Sequence, residues 1–173
     1  MKLTITLLLS TLSLATKISA ENKAQVSTEW QSACENKLQE SQTTEALGLF
    51  SYSGWVDVGQ ICIIGSSIHW AKPGQKPNKP FRSQNLNSAQ SQIIKQLMPQ
   101  IAKLKDFESQ TFDGVQFEIV TWKKIKEKIE VQKRVFMNNP TKAPWTSLIE
   151  QIQGFMPSAQ ILKKDLPKAI LKK

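Results

Sequence analysis

The chain has 173 residues, of which 40% are hydrophobic and 21% charged, and its formal net charge is +9 at pH 7. This length provides one domain of ordinary size with a hydrophobic core. The basic residues are nearly all lysine, with Arg82 and Arg134 as the exceptions. This composition disfavours nucleic acid as a partner, because arginine is the residue that reads bases and phosphates bidentately.

Residues 1–20 have the pattern of a cleavable secretory signal. A lysine follows Met1, a short apolar stretch comes next, and the small residue Ala20 suits cleavage before Glu21. The alternative is an anchor that stays attached, but a spanning helix needs about 20 mostly apolar residues, and Lys17 interrupts this one. We therefore predict an exported protein, periplasmic or secreted, with no transmembrane segment in its mature chain.

The first predicted element of the mature chain is a helix that carries one of the two cysteines. Thr28 and Gln31 have the spacing of a capping box at its start. Apolar residues then recur at i, i+4 and i+8, which predicts a helix with one buried stripe. This stripe consists of Trp30, Cys34 and Leu38.

The second cysteine lies in a segment with the composition of a strand. Residues 55–70 alternate in polarity, and the continuous apolar run 61–64 around Cys62 implies burial on both faces of a sheet. A helix packed on this strand would bring Cys34 to Cys62, so we predict a disulfide, as is usual for an even number of cysteines in an exported chain. Two free buried thiols are the alternative, while a redox-active pair is disfavoured because there is no Cys-x-x-Cys spacing.

Residues 71–80 form a predicted exposed basic loop. The segment contains three prolines together with Lys72, Lys76 and Lys79. It has little apolar surface to bury, and each proline removes a backbone donor. The loop is either a recognition arm or a plain connection, since long loops are enriched in functional roles.

Local signals in the second half of the chain predict a helix followed by a hairpin. Asn87 can cap a helix with one apolar face, and Pro99 should kink or split that helix. Asp113-Gly114 lies between the segments 107–112 and 115–122. An Asp-Gly pair between alternating segments predicts a β-hairpin.

The C-terminal part contains an ambiguous segment, a helix and a basic tail. Residues 123–137 fit a helix loosely, and we prefer a third antiparallel strand from about Glu130. Pro144 opens an amphipathic helix that closes before Pro157. Residues 158–173 alternate apolar pairs with lysines and form a predicted amphipathic tail.

Together these elements predict an α+β fold in which an antiparallel hairpin or meander packs with three to four amphipathic helices. We expect residues 21–157 to form a single domain. The signal 1–20 precedes this domain, and the basic tail 158–173 follows it.

Catalytic and metal-binding patterns are scarce. His69 is the sole histidine, and Cys62, seven residues earlier, would point to the other face of a single straight strand. The chain has fewer Cys and His residues than the four ligands of structural zinc, and it contains no phosphate-binding glycine loop. We therefore predict no metal and no cofactor. Glu108 and Glu118 could be cross-strand neighbours in the hairpin, which makes a carboxylate-dependent hydrolase one alternative.

The strongest functional signal is a basic surface next to one aromatic residue. We expect Trp122 to lie at the surface beside a cluster of lysines, with the loop lysines as a further contribution. The predicted binding residues are Trp122, Lys123, Lys124, Lys126, Lys128, Lys133, Arg134, Lys72, Lys76 and Lys79. A cationic patch beside an aromatic ring suits an anionic envelope polymer, lipid head groups or an acidic protein.

These features favour a non-enzymatic, exported module that binds or assembles on an anionic envelope component or a partner protein, for example as an accessory of an envelope or secretion assembly. The first alternative is a secreted cationic effector that acts on membranes through residues 158–173. The second is the carboxylate-dependent hydrolase.

Overall fold

A computed structural model describes residues 29–53, 56–72, 74–76, 78–107 and 114–156, with residues 53 and 56–58 described by their backbone. The predicted signal 1–20 and the predicted tail 158–173 lie outside these residues. Helix α1 spans residues 29–40. Its predicted stripe is confirmed, because Trp30, Cys34 and Leu38 are fully buried.

Six antiparallel strands form one sheet in the order β4-β3-β2-β1-β5-β6. The strands are β1 (Glu45–Ser53), β2 (Val56–Ile64), β3 (Ser67–Ala71), β4 (Arg82–Asn85), β5 (Val115–Ile125) and β6 (Lys128–Asn138). The first four form a meander, and β5 then pairs with the other edge of β1. The α+β fold is therefore confirmed, with a larger sheet than the expected hairpin or meander. The strand expected from about Glu130 is also confirmed, as β6.

Helices cover both faces of this sheet. The remaining two are α2 (Ser88–Lys103) and α3 (Trp145–Gln153). They pack on one face, over a core that includes Leu47 and Ile119. Helix α1 packs on the opposite face, over a core that includes Phe50 and Val120. The central strands are buried on both faces, and their side chains alternate between the two cores.

The Cys34–Cys62 disulfide is formed and joins α1 to β2, with Cα atoms 5.8 Å apart. The prediction of this bridge from the sequence is confirmed. Disulfides persist in oxidising compartments, so the bridge is typical of an exported protein.

Gly48 in β1 makes room for two aromatic rings beneath α1. A Cβ atom at this position would lie 2.6 Å from the Phe50 ring and 2.8 Å from the Trp122 ring. The two rings pack edge to face with their centroids 6.1 Å apart. Glycine usually weakens a strand, and here it permits close packing of large neighbours.

The hairpin predicted at Asp113-Gly114 is wrong. Strand β5 pairs with β1 on one side and with β6 on the other, so neither edge is open to the segment 107–112. Phe107 instead forms a parallel bridge with Met137 of β6. The Asp-Gly signal depends on neighbouring residues only. The pairing of β5 is instead determined by the longer apolar strands β1 and β6.

Pro99 does not split α2. The helix continues from Ser88 to Lys103 with Pro99 inside it. Its start is as predicted, since Asn87 and Gln90 form a capping box there. Ile94, Leu97 and Ile101 are buried against the sheet, and this packing outweighs the backbone hydrogen bond that the proline cannot make.

Candidate functional site: the cationic surface

The β5–β6 hairpin extends beyond the neighbouring strand. Glu45, the first residue of β1, pairs with Lys123, and the N–H of Lys124 donates to the carbonyl oxygen of Thr44 directly before β1. From Ile125 onwards, β5 therefore has only β6 beside it within the sheet. Lys126 makes the turn in the left-handed region, with φ of 57°. The side chain of Ile125 is 44% exposed at this tip. The tip therefore presents an apolar side chain among lysines.

The side chain of Lys124 forms hydrogen bonds within the protein. Its Nζ donates to the carbonyl oxygens of Leu38 at 3.2 Å and Gln39 at 3.4 Å, and also to that of Ser41. These carbonyls belong to the end of α1 and the residue that follows it, where the helix dipole favours a positive charge. Lys124 caps α1 and is less accessible to a partner than the sequence predicts.

Trp122 is buried, so the expectation that it lies at the surface is wrong. Its side chain is 1% exposed, and its Nε1 donates to Glu35 Oε1 of α1 at 2.8 Å. The reason is its position in β5, an inner strand whose even-numbered side chains here face α1. The lysines that follow it indicated a surface, but they lie nearer the tip of the hairpin.

Arg134 belongs to a closed polar cluster with Gln31 and Glu118. Arg134 Nη1 lies 2.9 Å from Glu118 Oε1, and its Nη2 lies 2.9 Å from Gln31 Oε1. The third side of the cluster is the 2.9 Å hydrogen bond from Gln31 Nε2 to Glu118 Oε2. The Glu118 side chain is largely buried, while half of the Arg134 side chain is exposed. This guanidinium stabilises a buried carboxylate that would otherwise be costly.

The carboxylate pair proposed from the sequence does not form as expected. The cross-strand neighbours of Glu118 are Phe50 and Phe136, and Glu108 lies outside the described residues. Glu118 is bound by Arg134 and Gln31. The expected placement of the two acids across one hairpin is therefore wrong.

The other predicted lysines separate into two groups. We name Lys123, Lys126, Lys128 and Lys133 the hairpin patch, and Lys72, Lys76 and Lys79 the loop patch. Across the described residues the Arg134–Glu118 contact is the sole ion pair within 4.0 Å, so none of these lysines forms such a contact with a carboxylate in that part of the chain. All except the half-buried Lys133 are exposed.

The two patches lie at opposite ends of the sheet. Lys123 pairs with Glu45, which is at the start of β1. Ala71 precedes the loop patch and pairs with Gln60 of β2, which lies away from that end of the sheet. The strands concerned also lie on opposite sides of β1. The ten residues predicted for binding therefore do not form one surface.

His69 is directly opposite Cys62 across β2 and β3, so the two share a face. A single straight strand would place them on opposite faces, but the turn at Gly65 divides the segment into two paired strands. Cys62 is held in the disulfide, which removes it as a partner thiol. Burial and, to a smaller extent, the charge of Lys37 lower the pKa of His69.

A groove beside the hairpin patch was not predicted. Two cavities of about 400 and 290 Å³ lie between α2 and the sheet, and both are lined by Glu45 and Met98. Lys123 and Lys133 line the smaller cavity. The sequence contains one weak signal for it, since Lys95 and Met98 flank the buried stripe of α2 without belonging to it.

In the part of the chain that the structure describes, no three Cys, His, Asp or Glu residues are grouped to hold a metal ion. No helix of that part has the length and apolar character needed to cross a membrane. Comparison with models of protein families finds no match, and neither does comparison with curated proteins or with solved structures. The fold and the surface thus define a disulfide-bonded α+β protein with a cationic hairpin.

Proposed function

We propose that this chain is an exported, non-enzymatic module whose hairpin patch binds an anionic component of the cell envelope. The observation that carries the proposal is a group of four lysines on the β5–β6 hairpin, without ion pairs among the described residues. Lys126 and Lys128 lie at its projecting tip, and the four lysines outnumber the exposed carboxylates of the hairpin, Glu127 and Glu130. Such a group produces a positive field that attracts anionic surfaces and polymers. The Cys34–Cys62 disulfide supports a role outside the reducing cytosol.

The partner class follows from the kind of charge presented. Lysine ammonium groups are hydrated point charges on flexible stems, and they suit repeated negative charges better than one planar acceptor. The exposed Ile125 at the tip adds an apolar contact. This combination favours an anionic polymer or a layer of anionic head groups over an individual polar ligand.

The first experiment compares vesicles of phosphatidylglycerol with vesicles of phosphatidylcholine, and adds dextran sulfate as a soluble polyanion. Lysines near an anionic surface contribute about 1 kcal/mol each, so the triple variant Lys123→Gln, Lys126→Gln, Lys128→Gln should bind anionic vesicles at least about tenfold more weakly. The matched control removes the same charge elsewhere, with Lys103→Gln, Lys105→Gln and Lys142→Gln, and should lose less. Equal losses in the two variants, or no binding of the wild type to either anionic probe, would overturn the proposal.

A shortened chain tests the membrane-active alternative. A protein that ends at residue 157 should keep most of its vesicle binding if the hairpin patch is the binding surface. Complete loss would instead favour an effector that contacts lipid through residues 158–173.

A further inference from the structure

The two cavities beside α2 adjoin at Glu45 and Met98, and we name the pair the groove. Their linings run from Ser91 to Ala102 of α2, a distance of about 16 Å at the helical rise per residue. Across the sheet, the same linings extend from β2 over β1 and β5 to β6, three strand spacings or about 14 Å. The two lengths agree, and Glu45 and Met98 belong to both cavities.

The groove changes in polarity along its length. At the β2 end, core residues of the sheet and of α2, among them Leu47, Ile63 and Ile94, form the apolar part of a lining whose rim also carries Lys95 and hydroxyl side chains. At the β6 end, the lining contains Lys123 and Lys133 together with polar side chains. An alkyl group is favoured against the core residues at the β2 end. A charged group is favoured beside the lysines at the β6 end, because burial of a charge without a partner costs free energy.

The charge balance of the lining selects the sign of the ligand. Lys95, Lys123 and Lys133 line the groove, against the single carboxylate of Glu45. None of the four takes part in an ion pair within the described residues. The net charge is therefore positive, and it is concentrated at the β6 end. The larger cavity, of about 400 Å³, lies in the range of pockets that hold small organic ligands, and the smaller one, of about 290 Å³, lies just below it.

We propose that this groove binds a single-chain amphiphile with an anionic head group. The head lies at Lys123 and Lys133, and the chain lies over Met98 towards Leu47. The proposal deepens the proposed function and rests on it for the sign of the ligand, because these two lysines also belong to the hairpin patch. It adds an apolar site that polyanion binding does not require.

The test is a calorimetric titration of the full chain with sodium decanoate below its micelle concentration, with decanol as the uncharged probe. Met98→Trp places a large ring in both cavities and should weaken decanoate binding about tenfold, since it displaces part of the buried alkyl chain. The matched control is Ile93→Trp on the same helix, at an exposed position outside both linings. It should change the affinity by less than about twofold.

The charged residues provide the second arm. Lys123→Gln with Lys133→Gln should weaken decanoate binding and leave decanol binding nearly unchanged, and Glu45→Gln should strengthen decanoate binding by removing a like charge. Ala102→Trp, at an exposed position of the smaller cavity, is a second obstruction if Met98→Trp does not fold. The proposal fails if the wild type binds no decanoate, or if the groove and control variants bind it equally.

This failure is distinct from failure of the proposed function. Met98→Trp keeps all four lysines of the hairpin patch, so its binding to dextran sulfate should equal that of the wild type. Loss of decanoate binding with unchanged dextran sulfate binding supports the groove. Dextran sulfate binding without decanoate binding by the wild type leaves the hairpin patch in place and overturns the groove.

Discussion

His69 lies half-buried on β3, opposite Cys62 and near Lys37 of α1. Its Nδ1 atom is buried and has no hydrogen-bond partner in the described part of the protein. Burial disfavours the charged imidazolium, and the positive charge of Lys37 adds a smaller effect of the same sign, so the pKa is below its usual value of about 6.5. The folded protein therefore holds this side chain neutral under conditions where the unfolded chain begins to protonate it.

The lowered pKa of His69 predicts a loss of stability in mild acid. The unfolded chain binds the proton at a higher pH than the folded chain, so the free energy of unfolding falls as pH decreases through about 6.5 and stops falling below the folded pKa. His69→Gln should remove this dependence. Urea unfolding at pH 7.5 and 5.5 measures it, in a window above the usual carboxylate pKa values. An equal loss in wild type and variant would show that another group is responsible.

At the scale of elements, α1 depends on a strand residue for its C-terminal cap. Lys124→Met keeps much of the aliphatic stem and removes the ammonium that contacts three carbonyls. We expect it to reduce the free energy of unfolding by about 1–2 kcal/mol. Lys123→Met, at the exposed neighbouring position, is the matched control and should be nearly neutral. Urea titrations of both variants decide the matter, and equal effects would contradict the cap.

Elements with local signals could be predicted from the sequence. The apolar stripe of α1, the Asn87 cap of α2 and the alternation in β6 each depend on residues close together in the chain. The pairing of β5 with β1 joins segments far apart in sequence, and no local pattern encodes it, so the stronger local signal at Asp113-Gly114 gave the wrong partner.

The same division applies to the candidate site. The exposure of Lys126 and Lys128 follows from composition and could be predicted. The burial of Trp122 and the capping role of Lys124 require the position of α1 across β5. The groove requires the position of α2 across four strands, so only the assembled sheet reveals it.

At the scale of the whole molecule, α1 is the only helix that the described residues place on its face of the sheet. It is held there by the packing of its buried stripe, by the disulfide, by the Gln31–Glu118–Arg134 cluster, by the Glu35–Trp122 hydrogen bond and by the Lys124 cap. The polar contacts all reach β5 or β6, whereas the disulfide reaches β2. The bridge therefore adds a covalent link on the β2 side of the sheet, where Trp30 of α1 also contacts Phe81 directly before β4.

Removal of the disulfide should therefore have a large effect. The cysteines are 28 residues apart, and closing such a loop stabilises the fold by about 3.5 kcal/mol in the chain-entropy model. We expect Cys34→Ala with Cys62→Ala to lose about that amount in urea unfolding. Wild type unfolded in the presence of a reductant is the control, and it should lose a similar amount because the loop is opened without any change of side chain. A loss below about 1 kcal/mol in both would contradict the model of a constrained unfolded chain. It would mean that the apolar packing of α1 and its polar contacts to β5 and β6 hold the helix in place without the bridge.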